Sequence, residues 1–228
     1  MFLDKKIIAV VPARGGSKGI IKKNIKNLLG KPLIEYTLDT AKTVGQIDCL
    51  VVSTDDKEIA EIAKNNSVKV IDRPSDIASD GSSTEECLIH VLEWLENFEN
   101  EIFDIILVLE PTSPLRSKDT IIGAIQMIYD GFDSVLAVKE TTENIGTIEE
   151  GSFKTIIKNA PRQRQLRQKF YIESSTIYAA DVNFLRTNHS LVSENWGALV
   201  VTNRESNDIN TIDDFNYIKF LMKGDLNE

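Results

Sequence analysis

Glycines and cations alternate directly after the first apolar run of the chain, at Arg14, Gly15, Gly16, Lys18, Gly19 and Lys23. Glycine permits a tight loop whose backbone N–H groups approach phosphate oxygens, and the cations neutralise the dense charge of a triphosphate. The loop matches neither the GxxxxGK[ST] nor the GxGxxG pattern. The spacing therefore predicts a triphosphate site, and an ordinary glycine-rich turn with a solvated basic edge remains the alternative.

Two further polar segments each follow an apolar run. The segment RPSDIASD (73–80) stands between a predicted strand and a predicted helix, where its polar groups can bind a base edge or simply cap the helix. In LEPTSPLR (109–116) the prolines fix a loop that directs Ser113 and Arg116 towards the same cleft. The alternative for this second segment is a surface turn with a structural Arg116.

Carboxylates gather in SNDINTIDDF (206–215), between the last predicted strand and the last predicted helix. Mg²⁺ prefers one or two carboxylates together with phosphate oxygens and water, so an acidic loop opposite the triphosphate suits this ion. Asp213 and Asp214 are expected instead to begin the last helix. His90 and His189 lack partners at useful spacing and are expected to be structural or solvent-exposed, and no Cys/His pattern predicts zinc.

The composition limits the class of protein. The chain has 228 residues, of which 42% are hydrophobic, and its formal net charge is -9. Such a charge repels nucleic acids and anionic membranes, so neither is expected as a partner. The first residues lack the layout of a signal peptide, and no apolar run approaches the length of a membrane span. With Cys49 and Cys87 expected as buried thiols, these features predict a cytoplasmic protein.

Short apolar runs alternate with stretches of helical period along the chain. The apolar runs predict strands at residues 7–12, 49–54, 68–71, 105–109, 134–138 and 199–202. The amphipathic stretches predict helices at residues 32–44, 57–65, 84–98, 119–129 and 213–222, with Asp55 or Asp56 and Ser83 as N-caps. This alternation predicts one α/β domain over residues 1–228, built on a doubly wound, mostly parallel sheet.

Residues 139–180 interrupt the alternation. Gly146, Gly151 and the alternating run at 148–157 predict a β-hairpin, which is followed by the basic stretch PRQRQLRQK and a strand-like run at 170–180. A single sheet is not expected to absorb these strand-like runs. An interruption of this size is typical of a subdomain, a lid or an oligomerisation arm.

Five segments together resemble the acylneuraminate cytidylyltransferases, also called CMP-sialic acid synthetases. In the family's order they are ARGGSKGIIKKN, VVSTDDKEIAEIAK, RPSDIASDGSSTEECLIHVL, LEPTSPLR and SNDINTIDDF. The resemblance spans most of the chain and implies a Rossmann-like nucleotidyltransferase fold with an inserted β-rich dimerisation arm at 139–180. It implies transfer of CMP from CTP to the anomeric hydroxyl of a sialic-acid-like nonulosonic acid, with Mg²⁺ as cofactor and release of pyrophosphate.

The resemblance also implies the nucleotide contacts. Triphosphate and ribose contacts are expected from the first loop, at Arg14, Gly15, Ser17, Lys18, Lys23 and Asn24. Contacts around the cytosine are expected from Arg73, Asp80, Ser82 and Thr84. Transfer at phosphorus depends mainly on positioning and charge stabilisation, so Mg²⁺, Arg14 and Lys18 are expected to be catalytic, together with Asp208.

The acceptor contacts implied by the resemblance include departures from the family pattern. Glu110 stands where the family often has Gln, and it is expected to bind the sugar together with Ser113. The segment PRQRQ (161–165) resembles the family's dimerisation arm, so Arg162 and Arg164 are expected near the sugar of the partner in a homodimer. Ser174 and Ser175 replace an Asn-Gly pair in the acceptor pocket.

The metal contacts implied by the resemblance also depart from the family pattern. Asp208 matches the family's first metal aspartate, and Asn210 stands where the family usually has a second. Two alternatives therefore stay open. One is an enzyme that activates a different acidic sugar, such as legionaminic, pseudaminic or an eight-carbon ulosonic acid. The other is a nucleotide-binding module without catalysis, in which the changes at 110, 174–175 and 210 mark a decayed active site.

Overall fold

The computed structural model describes residues 5–16, 19–79 and 81–225. The predicted site residues Ser17, Lys18 and Asp80 lie outside the described residues. The strands are β1 (Ile7–Pro12), β2 (Asn27–Leu28), β3 (Lys31–Pro32), β4 (Cys49–Thr54), β5 (Lys69–Asp72), β6 (Ile105–Val108), β7 (Ser134–Thr141), β8 (Gly146–Glu149), β9 (Ser152–Thr155), β10 (Phe170–Asp181) and β11 (Trp196–Val201). The α-helices are α1 (Leu33–Lys42), α2 (Lys57–Asn65), α3 (Thr84–Glu99), α4 (Lys118–Tyr129), α5 (Val182–Asn188) and α6 (Ile212–Asp225).

Seven of the described strands form the central sheet, in the order β11-β7-β10-β6-β1-β4-β5. Strand β1 pairs in parallel with β4 and β6, β4 pairs in parallel with β5, and β7 pairs in parallel with β11. Strand β10 runs antiparallel to both of its neighbours, β6 and β7. The prediction of a mostly parallel α/β sheet is therefore confirmed.

Helices cover both faces of this sheet. Along β1, Ile7, Ala9 and Val11 belong to the core cluster that contains α1, α2 and α4. The alternate residues Ile8 and Val10 belong to the opposite cluster, which contains α3 and α5. Because side chains alternate between the faces of a strand, a strand covered on both sides is apolar throughout. This explains why continuous apolar runs predicted the central strands.

Helix caps fix the starts of two helices beside the sheet's carboxyl edge. Asp56, and not Asp55, caps α2 by accepting from the N–H groups of Glu58 and Ile59. Ser83 and Glu86 form a capping box at the start of α3. The short helix α5 and the two-residue strands β2 and β3 have no counterpart among the sequence predictions. Among the described residues, no helix is long and apolar enough to cross a membrane.

Residues 139–180 are only partly an insertion. Strands β8 and β9 form the expected hairpin. The prediction that the sheet cannot absorb the run at 170–180 is wrong, because residues 178–181 of β10 pair with β6 in the middle of the sheet. A register shift between Ser174 and Tyr178 separates this part from residues 170–174, which extend the β7 ladder. Residues 139–174, called the arm below, are what remains of the insertion.

Candidate active site

The loop after β1 and the loop after β11 are held in contact. A Cβ atom on Gly19 would overlap the carbonyl oxygen of Asn210, so only glycine allows this approach. Lys23 Nζ donates to the carbonyl oxygen of Ile209 at 2.8 Å, and the side-chain amide of buried Asn24 donates to the carbonyl oxygen of Arg14 at 3.0 Å. The two loops therefore form one wall, with the predicted residues Lys23 and Asn24 inside it.

The start of the glycine loop packs against the carboxyl end of β4. Gly15 N–H donates to Asp55 Oδ1 at 2.9 Å, and a Cβ atom at Gly15 would lie 2.7 Å from Asp56 Oδ2. Asp56 is fixed as the cap of α2, so it cannot yield to a larger residue. Glycine at position 15 is thus required for packing, whatever ligand the loop binds.

The segment after β5 supplies the opposite wall. Arg73 is anchored to β4, because its guanidinium donates to the carbonyl oxygen of Ser53 at 3.0 Å and to its hydroxyl at 3.3 Å. Ser82 donates to the carbonyl oxygen of Asp76 at 3.1 Å. Thr84 is the first residue of α3, directly after the Ser83 cap. Ser83 therefore caps the following helix, as the alternative interpretation of this segment expected. Arg73, Ser82 and Thr84 line a cavity.

That cavity, called the nucleotide cavity below, has a volume of about 390 Å³. Its lining combines residues from the loops after β1, β5, β6 and β11, as expected where parallel strands end at one edge. Three of its side chains are cations and one is a carboxyl group. The lining residues that the sequence predicted are Arg14, Lys23, Asn24, Arg73, Ser82, Thr84, Glu110 and Asn210.

A second cavity of about 440 Å³, called the acceptor cavity below, adjoins the first. The two cavities share Lys23, Thr84, Glu110, Thr112 and Asn210. The remaining lining of the acceptor cavity is Glu85, Glu173, Ser175, Tyr178, Leu191, Val192, Trp196 and Asp208. A ligand in one cavity would therefore touch a ligand in the other along this shared boundary.

Glu110 occupies the boundary, and its environment disfavours the charged form. Burial, and then the charge of Asp208, raise the pKa of Glu110 to about 7. Beneath it, burial lowers the pKa of Arg116 to about 10, and the guanidinium donates to the carbonyl oxygens of Thr176 and Glu110. Arg116 is only 3% exposed, so the structural alternative for this residue is correct. It holds the loop that carries Glu110.

Both carboxylate oxygens of Asp208 have a hydrogen-bond donor within reach. Ser113 Oγ lies 3.4 Å from Asp208 Oδ1 and 3.2 Å from the carbonyl oxygen of Ser175, and its single proton is donated to one of the two at a time. The side-chain amide of Asn210 donates to Asp208 Oδ2 at 2.9 Å. Ser113 is 1% exposed, so it orients Asp208 and Ser175 from below. Asp214 accepts from the N–H groups of Asn210 and Thr211 at the start of α6, in line with the structural role expected for it.

The predicted acceptor residues are divided between the cleft and other places. Ser175 lines the acceptor cavity, whereas Ser174 is buried and shares a hydrogen bond of 2.7 Å with Thr176 Oγ1. Ser174 therefore lines neither the nucleotide cavity nor the acceptor cavity. Arg162 and Arg164 lie in the exposed arm, where Arg164 Nε donates to Thr142 Oγ1 at 3.1 Å. Within one chain they line neither cavity.

Sequence reasoning missed much of the acceptor cavity. Glu85 comes from the first turn of α3, Glu173 and Tyr178 from β10, and Trp196 from the start of β11. Glu173 accepts a hydrogen bond of 2.8 Å from the Tyr178 hydroxyl. Burial, and then this hydrogen bond, raise the pKa of Tyr178. No motif groups these residues, because the antiparallel insertion of β10 is what brings them together.

The residues at and beside the boundary suit a magnesium ion that is bound jointly with a triphosphate. The described residues include no group of three or more His, Cys, Asp or Glu side chains that could hold a metal by themselves. Asp208 and Glu110 do line the same cavity, and the charge of Asp208 acts on Glu110. Mg²⁺ usually takes one or two carboxylates and completes its shell with phosphate oxygens and water, so this donor set fits the ion.

Known proteins are similar to this chain in sequence and in fold. Residues 8–196 match the family described as "Cytidylyltransferase". The chain is 28% identical to the "Pseudaminic acid cytidylyltransferase" of Campylobacter jejuni subsp. jejuni, over 96% of this chain and 97% of the relative. It is 38% identical to the "CMP-N,N'-diacetyllegionaminic acid synthase" of Legionella pneumophila, over 58% of this chain and 57% of the relative. In fold, it resembles CMP:2-keto-3-deoxy-manno-octonic acid synthetase complexed with CTP, with a TM-score of 0.72, 16% identity, and coverage of 96% of this chain and 99% of that chain.

Proposed function

The chain belongs to the cytidylyltransferase family, and from this premise we propose that it transfers CMP from CTP to an acidic, sialic-acid-like nonulosonic sugar. The observation that carries this proposal is the pair of adjoining cavities with Lys23, Glu110 and Asn210 at their boundary. The names of two relatives, a pseudaminic acid enzyme and a legionaminic acid enzyme, support an acidic nine-carbon sugar. Family membership favours an active nucleotidyltransferase over the alternative of a decayed binding module.

In this proposal the nucleotide cavity binds CTP. Arg14 and Lys23, which line this cavity, face the triphosphate. Arg73, Ser82 and Thr84 face the cytosine from the opposite wall. Lys18, which lies in the same loop sequence, adds a further cation for the triphosphate, and Asp80 adds a polar group for the base.

The transfer step takes place at the shared boundary. The anomeric hydroxyl oxygen forms a bond to the α-phosphorus of CTP, the bond from that phosphorus to pyrophosphate breaks, and the hydroxyl proton passes to solvent water. Holding the two reactants in contact converts an encounter between molecules into a reaction within one complex. Fixed cations at Arg14 and Lys23 then stabilise the charge that develops on the phosphate oxygens.

Magnesium is part of the proposal. Asp208 would hold the ion, with Asn210 and Glu110 beside it, and the bound ion would supply positive charge to the triphosphate. The chain's own contribution is to orient the Asp208 carboxylate through Ser113 and Asn210. Ser175 faces the sugar in the acceptor cavity.

A homodimer in the cytoplasm completes the proposal. The arm exposes a series of large apolar side chains, namely Ile145, Ile148, Phe153, Ile156, Leu166, Tyr171 and Ile172. Large apolar side chains exposed along one segment favour a protein–protein contact, and two-fold pairing is the most common assembly. Arg162 and Arg164 would then approach the acceptor cavity of the partner.

The free thiols of Cys49 and Cys87 suit a reducing compartment.

Pyrophosphate release tests the proposed function. The protein is mixed with Mg²⁺, one of the four nucleoside triphosphates, and one acidic sugar from a panel of nonulosonic and eight-carbon ulosonic acids. We expect release with CTP and at least one nonulosonic acid, and a clear preference for CTP over UTP, ATP and GTP, since a mismatched base leaves buried polar groups unpaired. Equal turnover with UTP contradicts the cytosine assignment, and release only with an eight-carbon acid contradicts the acceptor class.

A further inference from the structure

The acceptor cavity differs sharply in charge from the nucleotide cavity. The residues that line the acceptor cavity and not the nucleotide cavity are called the acceptor wall below. They are Glu85, Glu173, Ser175, Tyr178, Leu191, Val192, Trp196 and Asp208. Three of these described residues are carboxylates, and none is Lys, Arg or His. The nucleotide cavity, in contrast, has three cations and a single carboxyl group in its described lining.

This charge distribution decides what the acceptor wall can bind. An anionic sugar can place its carboxylate near the boundary, where Lys23, the magnesium of the proposed function, and Arg162 and Arg164 of the partner in the proposed dimer supply positive charge. The remainder of the sugar then lies against the acceptor wall. If Asp208 serves the metal, Glu85 and Glu173 still face that part of the ligand. Their negative field attracts a positive charge and repels a second negative one.

The neighbours of the two glutamates are also suited to a cation. Glu173 is held by the Tyr178 hydroxyl at 2.8 Å, so its carboxylate does not swing freely. Glu85 Oε1 lies 3.4 Å from the N–H of Leu191, which joins α3 to the loop before β11. Aromatic side chains at Tyr178 and Trp196 complete the wall. Ring faces and carboxylates together form a common binding environment for alkylammonium groups.

We propose that the acceptor is a nonulosonic acid with a basic nitrogen substituent, a free amino or amidino group, that is held against Glu85 and Glu173. The inference rests on the proposed function and deepens it by defining the acceptor as a zwitterion. The sugar carboxylate lies towards the boundary and the cationic substituent lies towards the acceptor wall. The two glutamates are then specificity residues that contact the substrate away from the reacting atoms.

A matched pair of acceptors tests the inference on the unmodified protein. One is a nonulosonic acid with a free amino group, and the other is its N-acetyl counterpart, which lacks the positive charge. With saturating CTP and Mg²⁺, kcat/KM is measured for each by pyrophosphate release. We expect the amino form to be preferred by about tenfold or more, because each charge-assisted contact is worth about that factor.

Variants then assign the preference to the acceptor wall. Glu173→Gln and Glu85→Gln remove charge and keep shape, so each is expected to lower the preference for the amino form towards unity while KM for CTP stays unchanged. Glu93→Gln is the matched control, since Glu93 is an exposed carboxylate on α3 outside both cavity linings. It is expected to retain the full preference.

The outcomes separate this inference from the proposed function. Equal use of the two acceptors, or a preference for the N-acetyl form, overturns the inference and leaves CMP transfer to a nonulosonic acid intact. A preference that survives in both glutamine variants also overturns it, because the charge would then act from elsewhere. Failure to transfer CMP to any acidic sugar overturns the proposed function and the inference together.

Discussion

At the scale of single residues, Glu110 makes the stability of the fold depend on pH. Its pKa is about 7 in the folded chain, against an ordinary value of 4.5, because of burial and the nearby charge of Asp208. The folded state therefore keeps a proton that the unfolded state releases at lower pH. For a carboxyl group with a raised pKa, stability is greatest below the ordinary value and falls as the pH rises from 4.5 to about 7.

Glu110→Gln should remove this loss, since an amide does not ionise. Without nucleotide or metal, we expect the advantage of the variant in free energy of unfolding to grow by about 1–2 kcal/mol between pH ~5 and pH ~8, a figure reduced for the solvent that reaches the cavity. Urea unfolding at both pH values measures it, with Glu93→Gln as the control. An advantage that is constant with pH would show that the Glu110 carboxyl titrates normally.

Asp208 and Asn210 give a second prediction at this scale. Asp208→Asn removes a full charge from the proposed metal site, so we expect a loss of turnover of about 100-fold or more in a folded protein. Asn210→Asp keeps the side-chain shape and adds a carboxylate next to Asp208 Oδ2, which is now held at 2.9 Å by an amide. We expect this variant to remain active at saturating Mg²⁺ and to reach its half-maximal rate at a lower concentration.

Magnesium titrations with CTP check this pair through turnover and through the midpoint of thermal unfolding. Repulsion between two carboxylates should lower the midpoint of Asn210→Asp without metal, and Mg²⁺ with CTP should restore it. If Asp208→Asn keeps most of its activity, or Asn210→Asp loses it at saturating Mg²⁺, the metal is held elsewhere.

The sequence predicted site residues that lie within one continuous segment. It did not predict site residues that only the tertiary structure brings together. Arg14, Lys23 and Asn24 come from one segment, so composition and the family resemblance could identify them. Glu173 and Trp196 come from strands that show only an apolar or alternating pattern. Their position in the cleft depends on the order of strands in the sheet, which local pattern does not encode.

At the scale of elements, the close contact between the loops after β1 and β11 is the feature most open to test. Gly19→Ala places a Cβ atom against the Asn210 carbonyl oxygen, which belongs to the backbone and cannot rotate away as a side chain would. We expect a loss of unfolding free energy of about 1–3 kcal/mol, as for other overpacked sites. Gly16→Ala in the same loop meets no atom within 4 Å and should change stability by no more than about 0.5 kcal/mol.

Urea unfolding of both alanine variants measures this difference, and CTP binding to Gly19→Ala reports whether the wall of the nucleotide cavity has shifted. Equal stability of the two variants would mean that the loops separate at little cost. In that case the two loops would not form a preorganised wall, and the contact at Gly19 would not position the residues of the nucleotide cavity.

The elements themselves illustrate what periodicity can predict. Strands β1 and β4 and helix α2 have the predicted boundaries, because each is a simple apolar or amphipathic run between clear turns. Strand β10 was expected outside the sheet because residues 139–180 interrupt the alternation of strands and helices. Its pairing with β6 and β7 satisfies the backbone groups of both neighbours, and the register shift after Ser174 lets the rest of the strand follow the arm.

At the scale of the whole molecule, the apolar surface of the arm predicts a two-fold dimer. Ile148 is 79% exposed, Ile156 65% and Leu166 63%, and all three lie between β7 and β10 in sequence. Large side chains at this exposure are stabilised when a second copy covers them. We expect a homodimer in light scattering at micromolar concentration, with the arm of each chain against its partner.

The double variant Ile148→Glu/Phe153→Glu tests this contact, because burying two carboxylates in an apolar interface is costly. We expect it to be monomeric, with unchanged binding of CTP and a raised KM for the sugar, since Arg162 and Arg164 of each arm would no longer reach the other chain. Phe98→Glu is the control, as Phe98 is 71% exposed on α3 outside the arm. A dimer that persists in the arm variant would show that another surface forms the dimer. A monomer that keeps the full affinity for the sugar would separate the arm from catalysis, because the acceptor cavity would then be complete within one chain.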